Sequence, residues 1–343
     1  MKISIITTVY KAENDLPRLL DSMMAQKSPE LEFFLVDNGS PDRCGEICRD
    51  YAKKDKRFVV YTIKDNIGYI RARNVGMKAC NADYIGFCDS DDYLEPGAYD
   101  KAVEIIKKTE CDLYITAYQT HYTNGTVQNF LPYEKGLYKE NDVKEKILPQ
   151  AFGSIGGKGQ LHGFAWKQIF KRNLILSNDF QFMVELQPYE DQIFNIDFIL
   201  ASNKIYIDDN IIYNYIVNDK SITAKIIKNF DVEKEWRRIY LLYQEKLKRA
   251  QDSVQIEALS NQALSSIYSL IILMGKQKNC SILFCANKFK KITDGKILNE
   301  VVSQASCNNS KSINFIKYCL KKKRYKLLFT VVKSAVKIRG KSQ

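Results

Sequence analysis

Short apolar runs alternate with amphipathic stretches over the first third of the chain. The apolar runs, which predict β-strands, lie at about 2–9, 31–36, 57–63, 84–88 and 112–117. The stretches between them carry apolar residues at helical spacing and lie near 13–26, 42–54, 69–80 and 97–108. Strands that alternate with helices in this way predict an α/β domain with a mostly parallel, Rossmann-like sheet flanked by helices.

The alternation stops after residue 117, and three other patterns follow. Asn124-Gly125 separates two β-like runs and predicts a hairpin turn. The glycine-rich segment 153–159 is not a phosphate-binding loop, because no strand precedes it and no Ser or Thr follows its lysine. We interpret it as a mobile loop near an acceptor site. After about residue 230 the apolar spacing becomes helical. We therefore expect three parts: an α/β half at 1–117, a less regular half at 118–228 and a helical basic region at 229–343.

The amino-acid composition indicates a folded cytoplasmic protein. Hydrophobic residues make up 45% and aromatic residues 12% of the 343 residues, enough for a sizeable core. We find no uninterrupted apolar run of roughly 18 residues, and the first ten residues predict a strand rather than a signal peptide. Nine scattered cysteines without a CxxC pair, and only two histidines, argue against a zinc site and against a disulfide framework.

The positive charge of the chain is concentrated in its last third. The net charge is +12, and residues 231–343 carry 23 Lys and Arg against 8 Asp and Glu. Within 316–338, apolar residues such as Phe329 and Val332 mix with the basic run 321–324 in an amphipathic pattern. Such a pattern suits the anionic inner leaflet of the cytoplasmic membrane. A solvated helical face and a nucleic-acid-binding tail are the alternatives; we favour the membrane and expect no nucleic acid.

Three carboxylates within the four residues Asp89-Ser90-Asp91-Asp92 follow directly on the apolar run 84–88. This places them at the C-terminal end of a predicted strand, the edge where open α/β sheets bind ligands. Carboxylates this close repel one another unless a cation lies between them, and a divalent cation carrying a phosphorylated ligand would supply that charge. A polar turn that caps the next helix explains the cluster alone equally well.

Further polar segments fall where the predicted sheet would bring them to the same edge. Asp37 and Asn38 end the second strand, where a carboxylate could pair with a base or ribose, although Asp-Asn-Gly-Ser is also an ordinary turn. Thr8 and Tyr10 end the first strand and offer a hydroxyl and a ring on which a base could stack.

Two later segments contribute charged side chains. Asn66 precedes the third helix, in which Arg71 could reach a pyrophosphate, whereas Arg73 could equally be a solvated helix charge. Glu190 and Asp191 begin another helix. A carboxylate there is often only a cap, but the helix N-terminus also stabilises its ionised form, which can accept a proton.

The order and spacing of these motifs resemble those of family 2 glycosyltransferases. The motifs are SIITTVY at 4–10, VDNGS at 36–40, RARN at 71–74 and DSDD at 89–92. Trp166, Glu190-Asp191 and the segment 213–223 are similar to the bacterial surface-polysaccharide branch of the family. The resemblance covers about residues 1–225 and implies the GT-A fold, with a nucleotide-sugar-binding half at 1–117 and an acceptor-binding half at 118–228.

The resemblance also implies roles for individual residues. Asp37 with Thr8, Val9 and Tyr10 would hold the uracil of a UDP-sugar. Asp89 would contact the ribose, Asp91 would coordinate Mg²⁺ or Mn²⁺ at the diphosphate, and Asp191 would be the general base. The expected nucleotide-sugar-binding residues are Thr8, Tyr10, Glu13, Asp37, Asn38, Asn66, Arg71, Asp89 and Ser90. The expected acceptor or phosphate contacts are Trp166, Glu190 and Lys220.

The activity implied is that of an inverting, metal-dependent enzyme. It would move a hexose or N-acetylhexosamine from a UDP-sugar to a hydroxyl of a lipid-linked or oligosaccharide acceptor in polysaccharide, O-antigen or capsule biosynthesis. We therefore expect a cytoplasmic protein, peripheral on the inner face of the membrane; a homodimer is left open. The sequence departs from the family at Asn38, where a second Asp is frequent, and at Ile216 and Asn218, where basic residues are common. Lys220 could replace that lost phosphate contact.

A nucleotidyltransferase and a non-enzymatic scaffold remain as alternatives, and a dehydrogenase is excluded. A nucleotidyltransferase would also have an α/β fold with paired acids, but residues 8–14 contain none of the glycines expected after its first strand. A dehydrogenase would need a GxGxxG motif after a strand, which the sequence lacks. A non-enzymatic basic scaffold would depend on the C-terminal charge and would tolerate the loss of Asp91 and Asp191.

Overall fold

The computed structural model of the chain describes residues 1–151, 161, 163–187, 190–217, 231–248, 250, 252–277, 280–293, 295–306 and 311–339. The chain forms two compact units. One comprises Met1–Val143 and Leu161–Lys225, and the other comprises Lys144–Gln160 and Ile226–Gln343. The predicted division of the first unit after residue 117 stays a prediction.

A sheet of ten strands is the centre of the first unit. The strands are β1 (Ile3–Val9), β2 (Leu31–Asn38), β3 (Phe58–Ile63), β4 (Tyr84–Phe87), β5 (Tyr93–Leu94), β6 (Leu113–Tyr122), β7 (Gly125–Asn129), β8 (Gly136–Lys139), β9 (Gln168–Lys171) and β10 (Lys204–Ile216). Their order is β3-β2-β1-β4-β9-β6-β10-β5, with β7 paired to β6 and β8 to β10.

The sheet has mixed strand directions. Strands β3, β2, β1 and β4 are parallel, as are β6 and β10, while β9 runs antiparallel between β4 and β6. The predicted hairpin is confirmed, since β6 and β7 pair antiparallel up to Tyr122 and Gly125. The five predicted strands are confirmed as well, whereas β9 and β10 had no counterpart in the pattern of the sequence.

Helices of the first unit connect the strands, and the four predicted helices are confirmed within a few residues at each end. The helices are α1 (Leu16–Met24), α2 (Cys44–Lys54), α3 (Tyr69–Ala79), α4 (Ala98–Thr109), the short α5 (Glu140–Asp142), α7 (Arg172–Ser177) and α8 (Glu190–Ala201), with 3₁₀ turns at Ala165–Lys167 and Val184–Leu186. All eight residues of β2 are buried, as expected of a central parallel strand that is covered on both faces.

The second unit is helical, as predicted. Its elements are a π-helical turn at Val143–Ile147, whose first residue belongs to the first unit, then α6 (Leu148–Ala151), α9 (Val232–Leu247), α10 (Ser253–Lys276), α11 (Ile282–Thr293), α12 (Lys296–Gln304), α13 (Lys311–Lys321) and α14 (Tyr325–Arg339). Among the described helices, α10 alone has the length and apolar composition of a membrane span. Two thirds of its most apolar stretch is buried within the protein, as in the core helix of a helical bundle.

The structure modifies the interpretation of residues 316–338 as one amphipathic stretch. The segment forms two helices, α13 and α14, and Lys323 has a left-handed φ of 52° in the turn between them. The apolar residues Phe329 and Val332 are buried, and the Phe329 ring packs on Phe289 at a centroid distance of 5.8 Å. These two side chains are therefore part of the core of the helical unit, whereas Leu327 and Val331 of α14 are exposed.

Candidate active site

The candidate residues collect at one edge of the sheet because neighbouring parallel strands end there. Strand β1 lies between β2 and β4, and all three are parallel. The turns after β1, β2 and β4 therefore lie side by side, as the sequence predicted. Tyr10 directly follows β1, Asp37 and Asn38 are the last two residues of β2, and Asp89 follows β4.

The carboxyl group of Asp37 is almost fully buried at the end of β2. One of its oxygens accepts a hydrogen bond from the backbone N–H of Ser40, at 3.1 Å. The other lies against Gly45 at the beginning of α2, where a Cβ atom in place of the glycine hydrogen would approach Asp37 Oδ2 to 2.5 Å. The absence of a side chain at Gly45 thus makes room for this carboxylate.

The side chain of Asn38 forms hydrogen bonds within the protein. Its amide nitrogen donates to Asn66 Oδ1 at 3.1 Å, and its carbonyl accepts from the Ile67 N–H at 3.1 Å. The Asn66 carbonyl also accepts from the N–H of Gly68, whose φ is 84°. Asn38 and Asn66 therefore link the end of β2 to the loop before α3, and they shape this side of the pocket.

The other predicted nucleotide contacts border the same opening. Tyr10 is 38% exposed, and a hydrogen bond with Asn66 lowers the pKa of its hydroxyl. Thr8 is partly exposed, and Glu13 accepts a hydrogen bond from the Arg43 backbone N–H at 3.1 Å.

The two arginines of α3 have opposite environments. Arg71 is exposed and donates to the Ile67 carbonyl at 3.4 Å. Arg73 is only 6% exposed and joins two carboxylates that are far apart in sequence. Its Nη1 lies 2.6 Å from Asp191 Oδ1, and its Nη2 lies 3.1 Å from Asp89 Oδ1. The interpretation of Arg73 as a solvated helix charge is therefore wrong.

Burial acts on the carboxyl groups of the acidic cluster. It raises the pKa of Asp89 to about 6, with repulsion from Asp91 and Asp191 adding to the effect and the Arg73 charge opposing it. Burial is also the main cause of the raised pKa of Asp91. For Asp92, burial and the charges of Asp89 and Asp91 raise the pKa to about 8. The cluster is thus short of positive charge.

Asp92 is buried, and its carboxylate links the acidic turn to strand β10 by hydrogen bonds. It accepts a hydrogen bond from the Tyr213 hydroxyl at 2.7 Å and from the Ile216 backbone N–H at 2.7 Å. The same hydroxyl of Tyr213 accepts from the Asp89 backbone N–H at 3.0 Å. Strand β10 therefore holds the acidic turn in place through Tyr213, the first residue of the segment 213–223, to which the resemblance gave no individual role.

Glu190 and Asp191 begin α8 and have different partners. Asp191 Oδ2 accepts from the Ala165 backbone N–H at 3.1 Å, in addition to the Arg73 contact at Oδ1. Glu190 Oε1 accepts from the Tyr69 hydroxyl at 2.5 Å, and its Oε2 is buried with no hydrogen bond from the residues that the structure describes. Burial and the nearby Asp191 raise the pKa of Glu190.

Trp166 is the centre of a stack of aromatic rings next to the acidic turn. Its ring lies parallel to Tyr213 at a centroid distance of 4.2 Å and to Phe164 at 4.7 Å. Trp166 is buried, whereas Phe164 is 40% exposed and presents an apolar ring to the solvent. Phe164 is thus better placed than Trp166 to touch a bound saccharide.

The remaining predicted residues have less structural context. Ser90 is partly exposed between Asp89 and Asp91. Lys220 and Asn218, the glycine-rich segment 153–159 and Tyr189 lie outside the described residues. Their expected roles at the acceptor and phosphate sites stay predictions.

The acidic turn has the chemistry of a divalent-cation site. Among the described residues, no three His, Cys, Asp or Glu side chains form a complete metal-binding group. A complete protein cage is not needed, however, because Mg²⁺ is commonly held by one or two carboxylates together with substrate phosphates. The carboxyl oxygens of Asp91, with those of Asp89 two residues away, are hard ligands of this kind.

The spacing of apolar residues in α3 contains a signal for the burial of Arg73. The buried positions of α3 include Ile70, Arg73, Gly76 and Met77, which follow helical spacing. A charged residue on the buried stripe of a helix needs a partner, because an unpaired buried charge is costly. The sequence could not identify that partner, since Asp191 lies 118 residues away.

Comparison with known sequences agrees with the motifs. Residues 4–156 match the family model described as Glycosyl transferase family 2. The uncharacterized glycosyltransferase EpsJ of Bacillus subtilis is 28% identical over 221 residues, which are 64% of this chain and 62% of EpsJ. The poly(ribitol-phosphate) beta-N-acetylglucosaminyltransferase TarP of Staphylococcus aureus is 28% identical over 222 residues, 64% of this chain and 63% of TarP. The chain thus spans less than two thirds of these relatives.

Comparison with solved structures gives the fold. The crystal structure of Staphylococcus aureus TarS 1–349 in complex with UDP-GlcNAc has a TM-score of 0.74 and 19% sequence identity. The match covers 98% of this chain and 92% of that one, so it includes the helical unit. The architecture expected from the sequence is therefore confirmed: the fold is GT-A, and residues 4–156 are similar to glycosyl transferase family 2.

Proposed function

We propose that this protein is an inverting glycosyltransferase that transfers a hexose or N-acetylhexosamine from a UDP-sugar to a saccharide hydroxyl in cell-surface polysaccharide synthesis. One observation carries the proposal. Asp89 and Asp191 lie within hydrogen-bonding distance of the same buried guanidinium group at the ligand-binding edge of a family 2 domain. The geometry thus supports a leaving-group site and a base within one small space.

The donor would bind with its nucleotide at the ends of β1 and β2. Asp37 and the exposed ring of Tyr10 offer a hydrogen-bond acceptor and a stacking surface for uracil. Asp89, at the end of the neighbouring strand β4, is within reach of the ribose in this arrangement. The complexes of TarS with UDP and with UDP-GlcNAc support a donor of this class.

Asp191 would act as the general base. It takes the proton of the acceptor hydroxyl, whose oxygen forms a bond to the anomeric carbon while the bond from that carbon to the diphosphate oxygen breaks. Because attack and departure occur on opposite faces of the sugar, the anomeric configuration inverts. UDP leaves with the electron pair of the broken bond.

Asp91, with Asp89 nearby, would hold Mg²⁺ or Mn²⁺. When bound, the metal neutralises the charge that develops on the departing diphosphate. Asp92, held by Tyr213 and Ile216, keeps the turn in the conformation that presents Asp91. Phe164, exposed on the aromatic stack, offers an apolar ring for the acceptor saccharide.

The acceptor is proposed to be lipid-linked or part of a surface oligosaccharide. The names of relatives such as TarP support a role in surface polymers. The charge of residues 231–343 supports a peripheral location on the inner face of the cytoplasmic membrane. The contact would be made by exposed lysines such as Lys321 and Lys322, close in sequence to the exposed Leu327 and Val331 of α14. A homodimer stays an open prediction.

A screen of UDP-sugars against a lipid-diphosphate-linked saccharide, with released UDP as the readout, tests the function. In the variant Asp191→Asn we expect transfer to fall about 10²- to 10⁴-fold, the usual contribution of a general base, while calorimetric binding of UDP remains. Asp209→Asn removes an exposed carboxylate of the same unit and should transfer like the wild type.

Two outcomes would overturn these proposals. If no UDP-sugar yields UDP and a new glycoside with any saccharide acceptor, the glycosyltransferase function is wrong. If transfer proceeds unchanged in excess EDTA, the metal-dependent part alone is wrong.

A further inference from the structure

We propose that Arg73 is a positioning residue for the transfer step, which holds the proposed base and the proposed leaving-group site in one fixed geometry. The inference rests on the glycosyltransferase function proposed above. Arg73 lies on α3 and was not among the residues expected to bind donor, acceptor or metal.

The burial of Arg73 first shows that its charge must be compensated inside the protein. The side chain is nearly inaccessible to solvent, and burying a guanidinium without partners is strongly unfavourable. Asp191 and Asp89 provide the compensation from two different elements, α8 and the turn after β4.

Aromatic rings also restrict the movement of the Arg73 guanidinium. Aromatic rings of Phe182, Phe87 and Tyr69 surround it at centroid distances of 4.9, 5.5 and 5.7 Å. A cation enclosed by rings and by two carboxylates has little freedom to rotate. Its planar fork therefore fixes the positions of both carboxylates relative to each other.

Neighbouring contacts show that Asp191 depends on this arrangement. One oxygen of Asp191 accepts from Arg73 and the other from the Ala165 N–H. Without Arg73, a single backbone hydrogen bond among the described residues would remain to orient the carboxylate. A displacement of the base by about 1 Å can slow a reaction about 10²-fold.

A lysine at this position is the sharpest test. Arg73→Lys keeps the charge but cannot reach both carboxylates with a planar fork. We expect kcat to fall about 10²-fold, the donor KM and the calorimetric Kd for UDP to change less than about fivefold, and thermal unfolding to remain cooperative. Lys78→Met removes an exposed charge from the same helix and serves as the matched control with wild-type kcat.

The double variant Arg73→Lys/Asp191→Asn separates positioning from a general effect on the fold. If Arg73 acts through Asp191, the double variant should be no slower than Asp191→Asn alone. Additive losses, a wild-type kcat in Arg73→Lys, or a change confined to the donor KM would each overturn the proposal. So would the loss of cooperative unfolding in both Arg73→Lys and Arg73→Met, which would identify a purely structural ion pair.

The glycosyltransferase function can fail independently of this inference. It fails if the wild-type protein transfers no sugar. The inference fails if the wild type and Asp191→Asn behave as proposed while Arg73→Lys transfers like the wild type.

Discussion

One tyrosine hydroxyl connects the acidic turn to the opposite part of the sheet. The Tyr213 hydroxyl donates to Asp92 and accepts from the Asp89 backbone N–H, and Tyr213 itself is fully buried. Burial is the main cause that raises the pKa of Tyr213, followed by the charge of Asp92. The hydroxyl thus stays protonated and able to donate at neutral pH.

Removing this hydroxyl should weaken both the fold and the site. In Tyr213→Phe two buried polar groups lose a partner, so we expect the free energy of unfolding to fall by about 1–3 kcal/mol. We also expect weaker UDP binding, because Asp89 and Asp91 are no longer held. Denaturant unfolding and calorimetry measure these effects.

Tyr206→Phe is the matched control for this prediction. Tyr206 lies on the same strand, and its ring stacks on Tyr114 at 5.7 Å. An unchanged free energy of unfolding in Tyr213→Phe would show that the turn is held by other contacts.

At the scale of elements, the closeness of α3 to the sheet decides where Arg73 lies. Gly76 faces β1, and a Cβ atom at this position would approach Ile6 Cγ2 to 2.7 Å and Val36 Cγ2 to 3.1 Å. Any larger residue would push the helix away from the sheet. The guanidinium of Arg73, one turn earlier on the same face, would move with it.

Gly76→Ala should therefore lower both stability and transfer. Alanine gains up to about 1 kcal/mol in helix propensity, but overpacking against the stiff, buried Ile6 costs typically about 1–3 kcal/mol. We expect a net loss of stability in denaturant unfolding and a lower kcat. Lys78→Ala, on the exposed face of α3, is the control. A stabilised and fully active Gly76→Ala variant would contradict this account of the packing.

At the scale of the whole molecule, the two units differ in charge and in architecture. The helical unit has a closely packed core of its own. A Cβ atom at Gly275 of α10 would lie 2.5 Å from Val332 Cγ1 of α14. Deletion of residues 311–343 would remove Val332 and Phe329 from this core, so it tests folding together with membrane binding. Substitutions of exposed charged residues test membrane binding without disturbing the folding of this core.

Replacing Lys321, Lys322 and Lys326 with glutamine should weaken binding to anionic vesicles. These lysines are exposed, and each basic residue near such a surface contributes about 1 kcal/mol. We expect roughly a 100-fold loss of vesicle affinity in co-sedimentation, with unchanged thermal unfolding. The matched control replaces the exposed Lys53, Lys54 and Lys56 of the first unit. Equal binding of wild type and triple variant, or equal binding to neutral vesicles, would contradict the membrane proposal.

The sequence alone determined the elements and motifs that depend on local pattern. Strands β1–β4 and helices α1–α4 were predictable because periodicity and strand-end polar residues are local properties. Asp89, Asp91 and Asp191 were recognised through motifs that lie in order along the chain. Strands β9 and β10 were not predicted. Strand β9 is stabilised by pairing with β4 and β6, and strand β10 by pairing with β6, which the pattern of either segment alone does not reveal.

Only the tertiary structure decided which charges meet. Arg73 and Arg71 are two residues apart, yet one is buried between two carboxylates and the other is exposed. Tyr213 reaches Asp92 across 121 residues of sequence. Such pairs depend on how strands are ordered in the sheet and on how closely α3 approaches it. Both arise from packing between distant segments, about which the pattern of a single segment carries no information.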